Sequence, residues 1–143
     1  QLDTPTEIAL DRRGNVYFFD KGNRRVRRIG IDGVIRTVAG SRREFGYDDI
    51  SGRTATDIGL GTVNGLAADP AGNLFLVEST RVTRVDTNGE IQVIWGFMGE
   101  DDNGAGTYRL GPISGADAIA WTPEGPVISM RQEGRIVRLV PEI

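Results

Sequence analysis

Cysteine and histidine are both absent from the 143-residue sequence. The lack of cysteine excludes disulfides and thiolate chemistry but does not identify a compartment. The lack of histidine removes the usual zinc ligand, the commonest general base and every Ser/His/Asp or Cys/His nucleophilic arrangement. We therefore assign no catalytic residue, and the sequence favours a protein that is not an enzyme.

Long apolar runs and a strong net charge are absent as well. No stretch approaches the roughly 20 apolar residues that a membrane-spanning helix requires, so no membrane partner is expected. The formal net charge is −3, which gives no electrostatic reason to expect nucleic-acid binding by the chain as a whole. RNA is therefore disfavoured as a partner.

Glycine is abundant instead, with 20 glycines and 6 prolines in the chain. This composition is typical of short strands joined by many turns, and it disfavours long helices. Between Pro5 and Gly40, apolar residues alternate in four short segments that are separated by Gly-Asn or Asp-Gly pairs. The pattern predicts a four-stranded antiparallel meander. Its second strand begins with four apolar residues, as expected for a strand covered on both faces.

The meander recurs along the chain. The positions of Ile8, Asp11, Gly14, Tyr17 and Asp20 are repeated by Leu66, Asp69, Gly72, Phe75 and Glu78. After a shorter turn, Val82, Val85 and Gly89 repeat Val26, Ile29 and Gly33, and a weaker third copy covers residues 119–139. Self-similarity of this kind predicts a repeat architecture. Asp11, Asp20 and Asp69 fall at strand ends, where a carboxylate accepts N–H bonds from the following turn.

The first meander resembles the NHL repeat, whose family members build β-propellers, most often with six blades. It reads PTEIALDRRGNVYFFDKGNRRVRRI and then DGVIRTVAG. The linker from Gly46 to Leu60 resembles the connection between repeats in bacterial NHL-rich proteins. This resemblance implies an all-β fold of three four-stranded antiparallel blades that form a single propeller segment. The blades are expected at residues 4–40, 62–96 and 115–143.

The third blade departs from the pattern. Thr122 replaces the repeated aspartate, Pro126 replaces the asparagine, and the outer strand is expected to be missing. Three blades do not close a ring of six, and bare sheet faces and edges tend to associate. We therefore expect either a fragment of a longer propeller or two copies that associate through open blade faces. An open, solenoid-like stack is the third alternative.

One rim of the array is expected to carry the binding residues. In a four-stranded meander, the turn from the second to the third strand and the linker to the next blade emerge on the same rim. Long loops in compact arrays often carry function, and both long linkers, residues 41–63 and 97–115, are expected there. The predicted binding residues are Arg24, Arg25, Tyr47, Asp48, Asp49, Arg81 and Arg131. The arginines at positions 24–28 are expected to pair with acidic groups on adjacent blades.

Glu100, Asp101 and Asp102 form the acidic cluster that suits a hard cation, because calcium prefers oxygen ligands on a loop. The cluster lacks the spacing of an EF-hand loop, so a solvated loop is the alternative. No other cofactor is expected. Trp95 and Trp121 lie next to strand ends, where tryptophan is typical of core packing.

The resemblance implies a binding or scaffold module that presents rim loops to a protein or a small ligand. Two alternatives stay open. Related six-bladed propellers include lyases and lactonases, so a calcium-dependent hydrolase or lyase-like enzyme is one. A structural assembly segment of a larger secreted or cell-surface protein is the other. The compartment is unknown from the residues, and the resemblance favours a secreted or periplasmic location.

Overall fold

The computed structural model describes residues 1–43, 49–100 and 106–139, and within these ranges it describes all side chains except those of residues 98–100 and 106–109. The strands form three separate antiparallel sheets. Short 3-10 turns at Lys21–Asn23 and Ala55–Asp57 are the helical segments of the described part. None of the helical segments in these ranges is long and apolar enough to span a membrane. The all-β class predicted from the sequence is confirmed.

Sheet 1 is a four-stranded meander in chain order. Its strands are β1 (Pro5–Leu10), β2 (Val16–Asp20), β3 (Arg25–Ile29) and β4 (Ile35–Ala39). The β1–β2 turn closes because the Asp11 carboxylate accepts the Asn15 amide N–H and the Asn15 side-chain NH₂, at 2.9 and 2.7 Å. Gly14 provides the positive φ of 85° that this turn needs.

Sheet 2 contains the second predicted meander and two strands that the sequence did not predict. The sheet consists of β5 (Arg53–Thr54), β6 (Val63–Ala68), β7 (Leu74–Glu78), β8 (Arg81–Val85), β9 (Glu90–Glu100) and β10 (Gly106–Arg109). Strands β6–β9 are the predicted four. Both linkers were expected to be loops, but β5 pairs with the beginning of β9 and β10 pairs with its end. Two hydrogen bonds from Asn73 to Asp69 repeat the turn of sheet 1.

Sheet 3 has three strands, and no fourth strand pairs with them in the part of the chain described. The strands are β11 (Ala116–Thr122), β12 (Gly125–Met130) and β13 (Arg135–Arg138). The first turn is tighter than in the other sheets, since Thr122 pairs directly with Gly125. Thr122, which stands in place of aspartate, donates its hydroxyl to the Gly125 carbonyl at 2.8 Å. These three antiparallel strands agree with the predicted third blade.

A β-bulge lies near the beginning of β1, β6 and β11, which are the first strands of the three meanders and which we call the inner strands. The register of β1, β6 and β11 against its neighbour shifts between Thr6 and Ile8, between Val63 and Gly65, and between Ala116 and Ala118. The extra residues are Glu7, Asn64 and Asp117. In sheet 2, Asn64 donates its side-chain NH₂ to the Ala116 carbonyl oxygen at 3.1 Å, so this bulge links two sheets.

The sheets are stacked face to face in chain order. One buried apolar cluster joins sheets 1 and 2, and a second joins sheets 2 and 3. Phe75 of sheet 2 stacks on Trp121 of sheet 3 with ring centroids 5.5 Å apart, and Trp95 lies in the same core, as expected. The inner strands β1, β6 and β11 are neighbours in that order. Three such sheets are β-propeller blades.

The first linker is mostly core rather than rim. Ile50, Ala55, Ile58 and Leu60 are buried between sheets 1 and 2. Ala55 accepts the Gly40 amide at 2.9 Å and donates its own amide to the Gly89 carbonyl at 2.8 Å, so it ties the ends of two sheets together. The expectation that this linker lies on the rim is therefore wrong for these four residues, because their apolar side chains gain more from burial than from exposure.

Candidate functional site

The three turns between the second and third strands lie on one rim, which we call the upper rim. These turns comprise residues 21–24, 79–80 and 131–134. Asp20, Glu78 and Met130, at the ends of the second strands, pair with Pro5, Val63 and Ala116 at the beginnings of the inner strands. The expectation that these turns share a rim with the chain segments entering each blade is confirmed.

Asp20 organises the first turn of the upper rim from a fully buried position. Its carboxylate accepts the Asp3 amide at 2.8 Å and the Asn23 side-chain NH₂ at 2.9 Å, and it forms an ion pair with Arg27 at 3.0 Å. Burial alone would raise the pKa of Asp20, but these hydrogen bonds and the Arg27 charge lower it below the ordinary value. Asp20 was expected to accept a backbone N–H from the turn that follows it. It accepts the backbone N–H of Asp3 instead, which precedes β1.

Glu78 occupies the equivalent position in sheet 2 and binds different partners. It forms an ion pair with Arg81 at 2.6 Å and accepts the Gly61 amide at 2.7 Å. Arg81 was predicted to be an accessible binding residue of the rim. The structure buries its side chain almost completely, so this prediction is wrong, because the guanidinium is needed to neutralise a buried carboxylate.

The other predicted binding residues are scattered. Arg24 and Arg131 are exposed on turns of the upper rim, and Arg25 is half-buried at the start of β3. Asp49 is exposed, and its carboxylate accepts the Ser51 amide at 2.9 Å, which is a local turn bond. Tyr47 and Asp48 lie outside the described residues. Their binding role stays a prediction.

Arg24 borders a groove of about 330 Å³ between the first turn and the segment that enters sheet 2. The groove is lined by Phe19, Lys21, Arg24, Leu60, Gly61 and Thr62. Phe19 and Leu60 are each 1% exposed and form an apolar floor, whereas Lys21 and Arg24 are exposed. Neither cation belongs to an ion pair with a carboxylate of the described ranges. The groove therefore offers two exposed cations above a closely packed apolar floor.

A second cavity of about 460 Å³ lies between sheets 1 and 2, toward the opposite rim. We call it the interblade cleft; Tyr17, Arg28 and Asn88 are among its lining residues. The Tyr17 hydroxyl donates to the Asp11 carboxylate at 3.1 Å. Burial, together with this carboxylate, raises the pKa of Tyr17. Sequence reasoning missed this cleft.

The sequence feature that could have indicated the cleft is an arginine that recurs at the same position of each repeat. Arg28, Arg84 and Arg138 occupy the same position in the three third strands, opposite Tyr17, Phe75 and Val127. The Nε atoms of Arg28 and Arg84 are buried without a hydrogen-bond partner in the described structure. Because both arginines share this arrangement, it belongs to the junction between blades rather than to one ligand site.

The expected pairing of the basic run with adjacent blades is wrong for Arg27. Its partner, Asp20, belongs to the same sheet, and the other ion pairs among the described residues also join groups within one sheet. The β2–β3 pairing brings the two groups together more directly than packing between blades does. No cluster of three potential metal-ligating side chains occurs in the described ranges. Asp101 and Asp102 lie outside them, and the Glu100 side chain is not described, so calcium binding stays a prediction.

Three stacked antiparallel sheets with adjacent inner strands place the chain in the class of β-propeller-like repeat proteins. A solved structure of a Bacteroides thetaiotaomicron protein of unknown function matches 86% of this chain and 31% of that protein, with a TM-score of 0.64 and 20% sequence identity. A putative gluconolactonase and a streptogramin B lyase match with TM-scores of 0.43. The first of these similarities supports the fold.

No family model matches the chain. Teneurin-1 from mouse is 31% identical over 99 residues, which are 66% of this chain, and the human protein is 30% identical over the same length. The chain spans about 4% of the length of either Teneurin-1. The sequence similarity to Teneurin-1 thus covers only a short segment of that much longer protein.

Proposed function

We propose that the chain is a binding module whose upper rim recognises an acidic segment of a partner protein. The observation that carries the proposal is the groove in which Lys21 and Arg24 flank a floor of Phe19 and Leu60. Two exposed cations beside a rigid, closely packed floor suit a peptide segment that carries carboxylates. Arg24 was already expected to bind from its place on the rim.

Charge and rigidity support this ligand class. A net charge of −3 makes the chain as a whole repel acidic partners, so a local basic groove restricts their approach to one place. The first turn is fixed by Asp20, and Arg24 holds a left-handed conformation, with φ of 53°, while its amide donates to the Lys21 carbonyl. A rigid turn loses little conformational entropy when a partner binds.

The test is a titration of the ¹⁵N-labelled chain with an oligoglutamate peptide, followed by NMR. We expect amide shifts that saturate and are concentrated at residues 19–25 and 60–62. The double variant Lys21→Glu/Arg24→Glu should lose the response, whereas Arg12→Glu, at an exposed arginine in the β1–β2 turn, should keep it. Shifts that persist in the double variant, or an absent response, would refute the proposal.

A role as an assembly segment of a larger protein is a second candidate. Its support is that the similar region of Teneurin-1 is a small part of that chain. A chain that ignores oligoglutamate but associates with itself would favour this role over recognition of an acidic partner.

The enzymatic alternative stays a prediction. The calcium that it requires is tested by isothermal titration calorimetry of the intact chain with calcium. If calcium releases or absorbs no heat on addition, the calcium-dependent enzyme is excluded, because the residues predicted for it act only as calcium ligands.

A further inference from the structure

The linker that leaves sheet 1 begins beside the rim groove. Gly40 directly follows β4 and lies against both sides of the groove. A Cβ atom placed on Gly40 would overlap the Arg24 carbonyl oxygen and would lie 2.9 Å from the Cδ1 atom of Leu60. Arg24 and Leu60 are both lining residues of the groove. The chain therefore leaves sheet 1 in direct contact with the proposed binding site.

Two arginines follow this contact within three residues. Arg42 and Arg43 are both exposed. An extended chain spans at most about 3.6 Å per residue, so their Cα atoms lie within about 11 Å of the Gly40 Cα atom. The Arg43 amide donates to the Ser41 hydroxyl at 3.1 Å, which bends the segment locally. Both guanidinium groups are thus held near the groove.

The charges of the linker arginines add to those of the first turn. The Debye length is about 8 Å at physiological ionic strength, comparable with the separation of these groups. No ion pair joins Arg42 or Arg43 to a carboxylate within residues 1–43, 49–100 and 106–139. The Asp3 side chain lies against Gly22 and offsets part of the positive charge of the first turn. The linker arginines therefore supply much of the positive potential at this part of the rim.

The distribution of charge along the chain favours the same region. Residues 1–43, which include sheet 1, contain ten Lys and Arg against five Asp and Glu, a net charge of +5. Residues 44–143 contain seven against fifteen, a net charge of −8. The field of such a chain directs an acidic ligand toward sheet 1 and away from the following repeats.

We propose that Arg42 and Arg43 extend the groove into a longer binding surface that selects partner segments with a run of carboxylates over segments with a single carboxylate pair. We call this surface the basic tract; it comprises Lys21, Arg24, Arg42 and Arg43. A short acidic segment contacts the first turn alone, whereas a longer one also reaches the linker arginines. The inference rests on the proposed function, because it concerns the ligand of the same groove.

Two capped peptides of different length test the proposal by NMR titration of the ¹⁵N-labelled chain. Diglutamate spans about 7 Å when extended and hexaglutamate about 20 Å. The double variant Arg42→Gln/Arg43→Gln should weaken hexaglutamate binding at least about fivefold, as expected for two exposed ion pairs. It should leave the affinity for diglutamate unchanged. In the wild type, the amides of residues 40–43 should shift with hexaglutamate but not with diglutamate.

Arg12→Gln/Arg13→Gln is the matched control. It removes two exposed arginines from the β1–β2 turn on the opposite rim, so it changes the net charge by the same amount. We expect its affinity for hexaglutamate to equal that of the wild type. Glutamine keeps the backbone N–H donors of both segments, and unchanged amide resonances in the other sheets verify the fold of each variant.

The outcomes separate this inference from the proposed function. If hexaglutamate binds through Lys21 and Arg24 but Arg42→Gln/Arg43→Gln keeps the full affinity, the basic tract is refuted and the role of the groove stands. Equal losses in the two double variants also overturn the inference, because net charge alone would then account for them. If the wild type binds neither peptide, the proposed function and this inference both fail.

Discussion

Two buried carboxylates, Asp20 and Glu78, occupy equivalent positions at the upper rim and are neutralised by arginines at different positions. Asp20 binds Arg27 on the adjacent strand, whereas Glu78 binds Arg81 at the beginning of the next strand. The longer carboxylate side chain, together with the shorter turn of sheet 2, brings a different arginine within reach. Each repeat therefore keeps a buried ion pair while the residues that form it change.

Removal of the Glu78 carboxylate should destabilise the fold strongly. In Glu78→Ala, the buried Arg81 guanidinium loses its counter-ion and the Gly61 amide loses its acceptor. We expect a loss of about 3–5 kcal/mol in the free energy of unfolding, measured by urea denaturation. Glu133→Ala, which removes an exposed ion pair with Arg135, should cost no more than about 1 kcal/mol. Equal losses in the two variants would contradict the role of burial.

Asp20 should make the fold sensitive to acid. Its pKa is lowered in the folded state, so its contribution to stability is fully present above the ordinary value of 3.8 and disappears as the pH falls through the lowered pKa. We expect Asp20→Asn to be less stable at neutral pH and to lose less of its stability on acidification. Thermal unfolding followed from neutral pH to below 3.8 measures both effects.

Asp57→Asn, at an exposed aspartate, is the control for the acid series. It should follow the wild-type curve. A wild-type and an Asp20→Asn chain with parallel pH dependence would show that the carboxylate contributes nothing specific.

Single residues were predictable where their bonds are local. The role of Asp11 and Asp69 follows from the sequence because their acceptor bonds reach only four residues ahead, to Asn15 and Asn73. Asp20 was misassigned because its backbone partner, Asp3, precedes it by a whole hairpin. Arg81 was misassigned for a related reason, since its burial depends on how the linker covers Glu78.

At the scale of elements, the outer strands of sheets 1 and 2 carry equivalent glycines that lie against the preceding turn: Gly40 directly follows β4, and Gly96 lies within β9. Gly40 and Gly96 have φ values of 89° and 100°. A Cβ atom on Gly40 would overlap the Arg24 carbonyl oxygen, and one on Gly96 would overlap the Thr80 carbonyl oxygen. Both glycines therefore combine a left-handed backbone with a close approach of two chain segments.

Gly96→Ala should be costly for both reasons. Left-handed strain contributes about 1–2 kcal/mol and the overlap with backbone about 1–3 kcal/mol, so we expect a loss of about 3 kcal/mol in the free energy of unfolding. Gly89→Ala separates the two causes, because Gly89 has a φ of 82° but nothing within 4 Å of the added Cβ. It should show only the strain. A Gly96→Ala loss no larger than that of Gly89→Ala would contradict the contact, as measured by urea denaturation.

The alternation of apolar residues predicted the four meander strands of sheet 1 and of sheet 2. It did not reveal β5 and β10, the two further strands of sheet 2. Strand β5 has two residues, too few for an alternating pattern, and β10 begins with glycine. Their pairing depends on the long strand β9, whose edge they cover at both ends. Covering an exposed edge is a tertiary requirement that a local pattern does not reveal.

At the scale of the whole molecule, the stacked sheets should unfold as one unit, because the apolar clusters join them in pairs. Ile58, in the linker, is 2% exposed and belongs to the cluster between sheets 1 and 2. In Ile58→Ala we expect a loss of about 2–5 kcal/mol. The loss should appear equally in circular dichroism and in the fluorescence of Trp95 and Trp121, although the tryptophans lie in sheets 2 and 3.

Ile31→Ala, at an isoleucine that is 84% exposed, should change the free energy of unfolding little. If the Ile58→Ala transition moved in circular dichroism but not in tryptophan fluorescence, the sheets would be separate folding units.

The order of the blades was predictable because the repeat sets it. The course of the first linker was not predictable, because its buried isoleucines alternate with exposed polar residues much as an ordinary loop does. The rim groove depends on that course, since Leu60, Gly61 and Thr62 form one of its sides. The sequence alone therefore predicted the blades, but it predicted only part of the rim groove.

The bulges at Glu7, Asn64 and Asp117 divide each inner strand into two parts. The alternation of side chains between the two faces of the sheet is out of phase between these parts. A strand shifted by one residue would turn its apolar side chains away from the neighbouring sheet, but an unpaired residue absorbs such a shift at one point. Length changes on the rim side of that point need not propagate inward. The rim can therefore diversify in sequence and length between related chains while the stacking surfaces keep their phase.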